Sequence, residues 1–176
     1  MGIFSQSKDI QVQGTRNPYP RSGFYLVELN RHSFNPSSRK DKQPLAIVEY
    51  KILDVLEDFA GSAQPAGTHV SWFSKLEVDR TGELTDIGKL NMARLKSYVR
   101  ELLGGDNAGV SENDVTPEAI ASAFGQAVDD DGKESALEGW DGTEVSGLQL
   151  TLRVVEGTSD RGAKYTNMYF KALDNE

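Results

Sequence analysis

Five segments of alternating apolar and polar residues, separated by one helical pattern and one acidic stretch, organise this chain of 176 residues. Side chains alternate between the two faces of a β-strand, so each segment can cover one side of a core. Three of the segments precede the helical pattern and two follow the acidic stretch. The predicted strands span residues 23–32, 45–56, 68–73, 148–155 and 165–171.

The helical pattern runs from Thr85 to Leu102, where apolar residues recur every three or four positions and Gly104-Gly105 follow. Within the acidic stretch, Thr116-Pro117 predicts the start of a second, short helix that extends to about Val128. The run Asp129–Gly132 is expected to end it. The EF-hand calcium motif fails here, since its first acidic position is Ala127.

The order strand, strand, strand, helix, strand, strand predicts a mainly β protein with some α-helix, namely a five-stranded OB-like barrel. The acidic helical insertion lies before the fourth strand. A β-sandwich or another small barrel is compatible with the same order. We expect an extended N-terminal arm over residues 1–22, one OB-like domain over 23–172 that includes the insertion, and a short tail over 173–176.

The net charge of −8 is concentrated in the insertion. Residues 104–147 contain eleven acidic residues and one base, Lys133, whereas the rest of the chain carries a net charge of +2. Such asymmetry is typical of an interaction or self-masking segment, and a solvated acidic loop is the alternative. The segment could compete with a negatively charged ligand for a basic groove. Alternatively, it could pack on the barrel through a helix containing Ala119, Ile120, Ala123, Phe124 and Val128.

The composition excludes several kinds of chemistry. The chain has no cysteine, and its two histidines, His32 and His69, lie far apart in sequence. The glycines form no phosphate-binding pattern. We therefore expect no enzymatic activity, no catalytic residues, no cofactor and no bound metal. No apolar run approaches the ~18–20 residues of a membrane span, and the N-terminus lacks a signal-peptide pattern, so we expect no membrane partner.

The outward faces of the predicted strands combine aromatic and basic residues. This combination is typical of single-stranded nucleic-acid binding, where unpaired bases stack on rings and cations contact phosphates. Aromatic residues also favour strands without any ligand, which is the structural alternative. The residues expected to stack on bases are Phe73, Tyr165 and Tyr169, and those expected to contact phosphates are Arg39, Lys40, Lys42, Arg153, Lys164 and Lys171.

Five stretches together resemble small phage-encoded OB-fold single-stranded DNA-binding proteins: residues 23–29 (GFYLVEL), 47–53 (IVEYKIL), 66–72 (AGTHVSW), 95–104 (LKSYVRELLG) and 147–154 (GLQLTLRV). The resemblance covers about residues 20–172. It implies sequence-tolerant binding of single strands during phage DNA replication or recombination, without catalysis, in the bacterial host cytoplasm.

The chain departs from that family at its end. Many single-strand binders end in an acidic tail with a terminal aromatic residue, whereas this chain ends in Ala-Leu-Asp-Asn-Glu. Recruitment of replication or recombination proteins is therefore expected through the internal segment 104–147. Two other functions fit the same sequence: a phage structural or adaptor protein whose arm packs against neighbouring subunits, and an inhibitor of a host nucleic-acid enzyme that uses the acidic segment as a DNA mimic.

Overall fold

A computed structural model of the chain describes residues 20–36 and 43–174. Most of the predicted N-terminal arm, the three bases Arg39, Lys40 and Lys42, and the end of the C-terminal tail lie outside the described residues. The described ranges contain β1 (Gly23–Asn35), β2 (Leu45–Glu57), β3 (His69–Lys75), α1 (Asp86–Leu102), α2 (Pro117–Ala123), β4 (Gln126–Val128), β5 (Glu134–Ala136), β6 (Gln149–Thr158) and β7 (Lys164–Ala172).

The five long strands form one antiparallel sheet in the order β3-β2-β1-β6-β7. The predicted order of strands and helix, and the mainly β class with helices, are confirmed. Each of the five long strands extends one to three residues beyond at least one of its predicted ends. Strands β3 and β7 are the two edges of this sheet, and within the described ranges they do not pair with each other.

The pairing of β1 with β2 is interrupted by bulges. Irregularities in the β1–β2 register occur at Phe24/Tyr25, at Leu26/Val27 and between Leu29 and Arg31, and such bulges bend and twist the strand that carries them. Side chains of the two edge strands meet on the core side of the sheet, where the rings of Trp72 and Phe170 lie 5.5 Å apart. The apolar faces of all five strands contribute to one core.

The core consists of the inward side chains of the strands and one face of α1. In β2 every second residue from Ala46 to Ile52 is buried, as its alternating pattern predicts. Helix α1 contributes Leu95, Tyr98 and Val99. Thr85 caps this helix by accepting a hydrogen bond from the Gly88 amide at 3.2 Å, so the helix begins where the sequence predicts.

The prediction that the second helix reaches Val128 is wrong. Helix α2 ends at Ala123, and Gly125 adopts a φ of +71°, which a side chain would disfavour. Residues 126–128 instead pair with 134–136 as a small hairpin. The Asp129 carboxylate, which was expected to end a helix, organises the hairpin turn by accepting the amides of Asp131 at 3.0 Å and Lys133 at 2.8 Å.

The acidic segment packs on the sheet through its apolar residues. Val115 and Phe124 are buried in the main core, and Ile120, Ala123 and Val145 pack against it. Its last part lies directly on β1: the His32 amide donates to the Gly142 carbonyl at 2.9 Å, and a Cβ at position 142 would lie 1.9 Å from the His32 carbonyl oxygen. The packing that the sequence offered as an alternative is therefore observed for most of those residues.

Candidate nucleic-acid interface

Three side chains form a row across the outward face of the sheet. In the strand register Phe24 of β1 lies opposite Arg153 of β6, and Arg153 lies opposite Tyr169 of β7. Directly opposed residues of antiparallel strands share a face, with Cβ atoms ~5 Å apart. Tyr169 is 57% exposed, and Arg153 is exposed between the two rings. An exposed cation thus lies between two aromatic rings.

A third aromatic ring also contacts the cation of this row. Phe59, in the loop after β2, lies under the Arg153 guanidinium, whose central carbon is 5.6 Å from the ring centroid. A guanidinium at this distance interacts favourably with the ring face. The contact holds Arg153 over the surface and leaves its N–H groups available for a phosphate.

Two further predicted residues, Tyr165 and Lys171, lie on β7 on either side of this row. Lys171 lies opposite Thr151 and is exposed. Tyr165 lies opposite Gly157, and its ring covers that glycine so closely that a Cβ there would be 2.4 Å from the ring. Gly157 therefore makes room for the ring, which remains 46% exposed. Tyr165 and Tyr169 are four residues apart, ~13 Å along the strand.

We call the outward residues of β1, β6 and β7 the outer patch. It consists of Phe24, Arg153, Tyr165, Tyr169 and Lys171, with Phe59 beside it. Four of these residues, Arg153, Tyr165, Tyr169 and Lys171, were predicted from the sequence, and the strand register places them on one face. Lys164 is exposed at the start of β7 opposite Thr158, but strand alternation turns it to the face opposite Tyr165, so the structure separates it from this patch.

The β2 side of the outer patch is acidic. In the β1–β2 register Leu26 lies opposite Asp54 and Phe24 opposite Glu57, and both carboxylates are exposed. Asp58 follows and accepts the amides of Ala60 and Ala63. Carboxylates repel phosphates at short range. A polyanion on the patch would therefore contact β6 and β7 rather than cross β2.

The structure separates the other predicted residues from this patch. Phe73 of β3 is half-buried and lies opposite Ile47 of β2. Strand β3 is the edge strand at the other end of the sheet order from β7. The connection that carries Arg39, Lys40 and Lys42 leaves β1 at Asn35. That point is eleven residues from Phe24, or ~36 Å along the strand. Ser71, two residues before Phe73 and so on the same face of β3, is buried.

Sequence reasoning missed Phe24, Phe59 and Arg94 as neighbours of the predicted residues. Phe24 could have been found, because the alternation that buries Tyr25 and Val27 turns Phe24 outward. Phe59 lies in a loop and Arg94 on a helix. No strand alternation marks either of them, and only the tertiary structure brings them next to β6 and β7.

A buried cluster around His32 has a structural role. The Nδ1–H of His32 donates to the Ala123 carbonyl at 2.8 Å, and its Nε2 accepts the Tyr98 hydroxyl at 2.5 Å. The Phe124 ring stacks on the imidazole with centroids 4.7 Å apart. Burial lowers the pKa of His32 to about 4. This neutral imidazole joins β1, α1 and the acidic segment.

Because the native pKa of His32 lies below its usual value of 6.5, we expect acid to destabilise the fold. Above pH 6.5 both states are neutral and stability is full. Between pH 6.5 and 4 the unfolded chain binds a proton that the folded chain excludes, so the free energy of unfolding should fall by roughly 3 kcal/mol. Denaturant unfolding at several pH values measures this.

His32→Gln removes that proton linkage, and His69→Gln is the matched control. His69 is exposed, and its Nδ1 accepts a hydrogen bond from the Asn30 side chain at 3.0 Å. We expect the difference between wild-type and His32→Gln stability to shrink as the pH falls from 6.5 to 4. A difference that is constant with pH would contradict the role assigned to His32.

The acids of the insertion also pair with bases of α1. Arg100 binds the carboxylate of Asp106, and Lys96 lies 3.7 Å from that of Glu112. Arg100 also pairs at 3.3 Å with Glu101 of its own helix. The Arg100 hydrogen bond and charge lower the pKa of Asp106, and the charge of Lys171 contributes. The insertion therefore neutralises two of the four bases on α1.

Comparison with known proteins finds no matching family model and no significant match among curated proteins. The described residues hold no group of three or more histidine, aspartate or glutamate side chains placed to bind a metal ion. Within the same ranges, no helix combines the length and the apolarity that crossing a membrane requires.

Proposed function

We propose that this protein binds single-stranded DNA non-catalytically and with little sequence preference, in phage DNA replication or recombination. The observation that supports this most strongly is the row formed by Phe24, Arg153 and Tyr169 on the outer patch. The exposed ring of Tyr169 and the half-buried ring of Phe24 beside a cation suit a ligand that alternates planar bases with phosphates.

Stacking would supply much of the affinity. Each base stacked on an aromatic side chain contributes ~1–3 kcal/mol, and every base has a face that can stack, so binding tolerates sequence. The bases of a duplex already stack on each other and are out of reach of Tyr165 and Tyr169. Arg153 and Lys171 would bind phosphates and make the affinity depend on salt.

We also propose that the five-stranded sheet is a partly open OB-type barrel. The ring contact between Trp72 of β3 and Phe170 of β7 supports this, since it joins the two edges across the interior. Tyr98 of α1 packs edge-on against Trp72 at 5.6 Å and tilted against Phe170 at 4.7 Å, where the gap between the edges would be. OB-folds are partly open five-stranded barrels that bind oligonucleotides.

The proposed function includes no chemical step. The groups on the outer patch are aromatic rings and cations, which bind a strand but do not form a nucleophile with a base beside it. Titration of a fluorescently labelled 30-mer tests the proposal. Binding of the single strand supports it, whereas equal binding of a duplex, or none of either, would favour an adaptor or DNA-mimic function.

A further inference from the structure

A groove of about 470 Å³ runs between α1 and the edge strand β7. One face of α1 lines it with Leu90, Arg94, Ser97 and Glu101, which recur at the helical spacing of three and four residues. Strand β7 contributes Asn167 and Tyr169 to the opposite wall, along with Met168 and Phe170. Because Tyr169 also belongs to the outer patch, groove and patch are continuous across the edge of the sheet.

Arg94 is the cation in this groove that no carboxylate neutralises. Its Nη2 donates to the Asn167 side-chain oxygen at 2.8 Å, and within the described part of the chain it forms no ion pair. Two other bases of the helix, Lys96 and Arg100, pair with acids of the insertion. Asn167 thus holds a half-buried guanidinium in one orientation without cancelling its charge.

The carboxylate at the far end of the groove is already bound. Glu101 accepts the Ala172 amide at 2.9 Å and pairs with Arg100 at 3.3 Å. The groove near Arg94 and Tyr169 therefore keeps a positive character. A guanidinium with free N–H donors, next to an exposed ring, matches a phosphate followed by a base.

We propose that a single strand bound to the outer patch turns over β7 and enters this groove, where Arg94 binds one of its phosphates. The inference rests on the function proposed above. The carboxylates of Asp54 and Glu57 repel the phosphates of a DNA strand that would extend over β2. The bound DNA can therefore continue only on the β7 side of the patch. The uncompensated charge of Arg94 then makes the groove complementary to the phosphate backbone.

The test is the salt dependence of binding by Arg94→Gln. For single strands the slope of log K against log salt is about −0.7 per neutralised phosphate. Loss of one contact should therefore make the slope shallower by about 0.7 and weaken binding of a 30-mer about fivefold at 0.1 M salt. Arg94→Lys should restore most of the slope because it keeps the charge.

Arg80→Gln is the matched control. Arg80 lies exposed in the turn before α1, outside both groove and patch, so the same loss of charge there should leave the slope unchanged. Thermal melting checks that each variant is folded. If wild type binds and Tyr169→Ala weakens binding, but Arg94→Gln keeps the wild-type slope, the groove path is wrong and the proposed function stands. If wild type does not bind single strands, both are wrong.

Discussion

Tyr169→Ala and Phe170→Ala alter adjacent residues of β7, yet the first should weaken DNA binding and the second should lower stability. We expect Tyr169→Ala to weaken single-strand binding by ~1–3 kcal/mol, because its 57% exposed ring stacks on a base. Its effect on stability should be within about 0.5 kcal/mol. Phe170 is 8% exposed and packs between Tyr50, Trp72 and Tyr98. Its truncation should lower the free energy of unfolding by ~3–5 kcal/mol.

Urea unfolding and anisotropy titration of both variants measure the two effects. Tyr165→Ala provides a second test of the outward face and should behave like Tyr169→Ala. If the tyrosine variants unfold the protein while Phe170→Ala is tolerated, the two faces of β7 have been assigned in reverse. If Tyr169→Ala is stable and binds with wild-type affinity, the outer patch is not the binding surface.

Phe124→Ala should destabilise the protein by ~3–5 kcal/mol, although it lies in the acidic segment. Phe124 is 2% exposed, stacks on His32 and belongs to the main core. Leu137→Ala in the same segment is the control. Leu137 is 40% exposed, and its truncation should change stability by no more than about 0.5 kcal/mol.

The same two variants test whether the acidic segment competes with DNA. A segment that only packs on the sheet leaves the affinity of the folded Phe124→Ala protein unchanged. If the segment instead occupies the DNA-binding surface, its loosening by Phe124→Ala would uncover that surface. DNA binding would then tighten, chiefly at low salt. We expect unchanged affinity, since the core contacts of Val115 and Phe124 hold the segment in place.

The sequence predicted the strands well because most of them bury mainly one face; β3, where Ser71 is buried as well as Val70 and Trp72, is the exception. In β2 the alternation that places Tyr50 inside and Lys51 outside is visible in the residues themselves. The same alternation on β7 turns Tyr165 and Tyr169 outward. Local patterning therefore sufficed for the order of elements and for the half of the candidate site that lies on β6 and β7.

Long-range contacts account for what the sequence could not predict. In the sequence, His32 is indistinguishable from any other polar strand residue. Its role follows from its hydrogen bonds to Tyr98 of α1 and Ala123 of the acidic segment. Helical spacing continues past Ala123, yet pairing with residues 134–136 converts the next segment into a hairpin. The orientation of Arg94 toward Asn167 likewise depends on where α1 docks.

The central claim is that single-stranded DNA binds to the outer patch through stacking and phosphate contacts. Its most direct test is a fluorescence-anisotropy titration of the wild-type protein with a labelled ~30-mer, single-stranded and duplex, at 50 and 200 mM salt. With three to five phosphate contacts, single-strand affinity should fall ~10–100-fold between the two salt concentrations. Because duplex bases cannot stack on the two tyrosines, the duplex should bind at least about tenfold more weakly. Equal affinity for the two forms, or no binding at 50 mM salt, would contradict the claim.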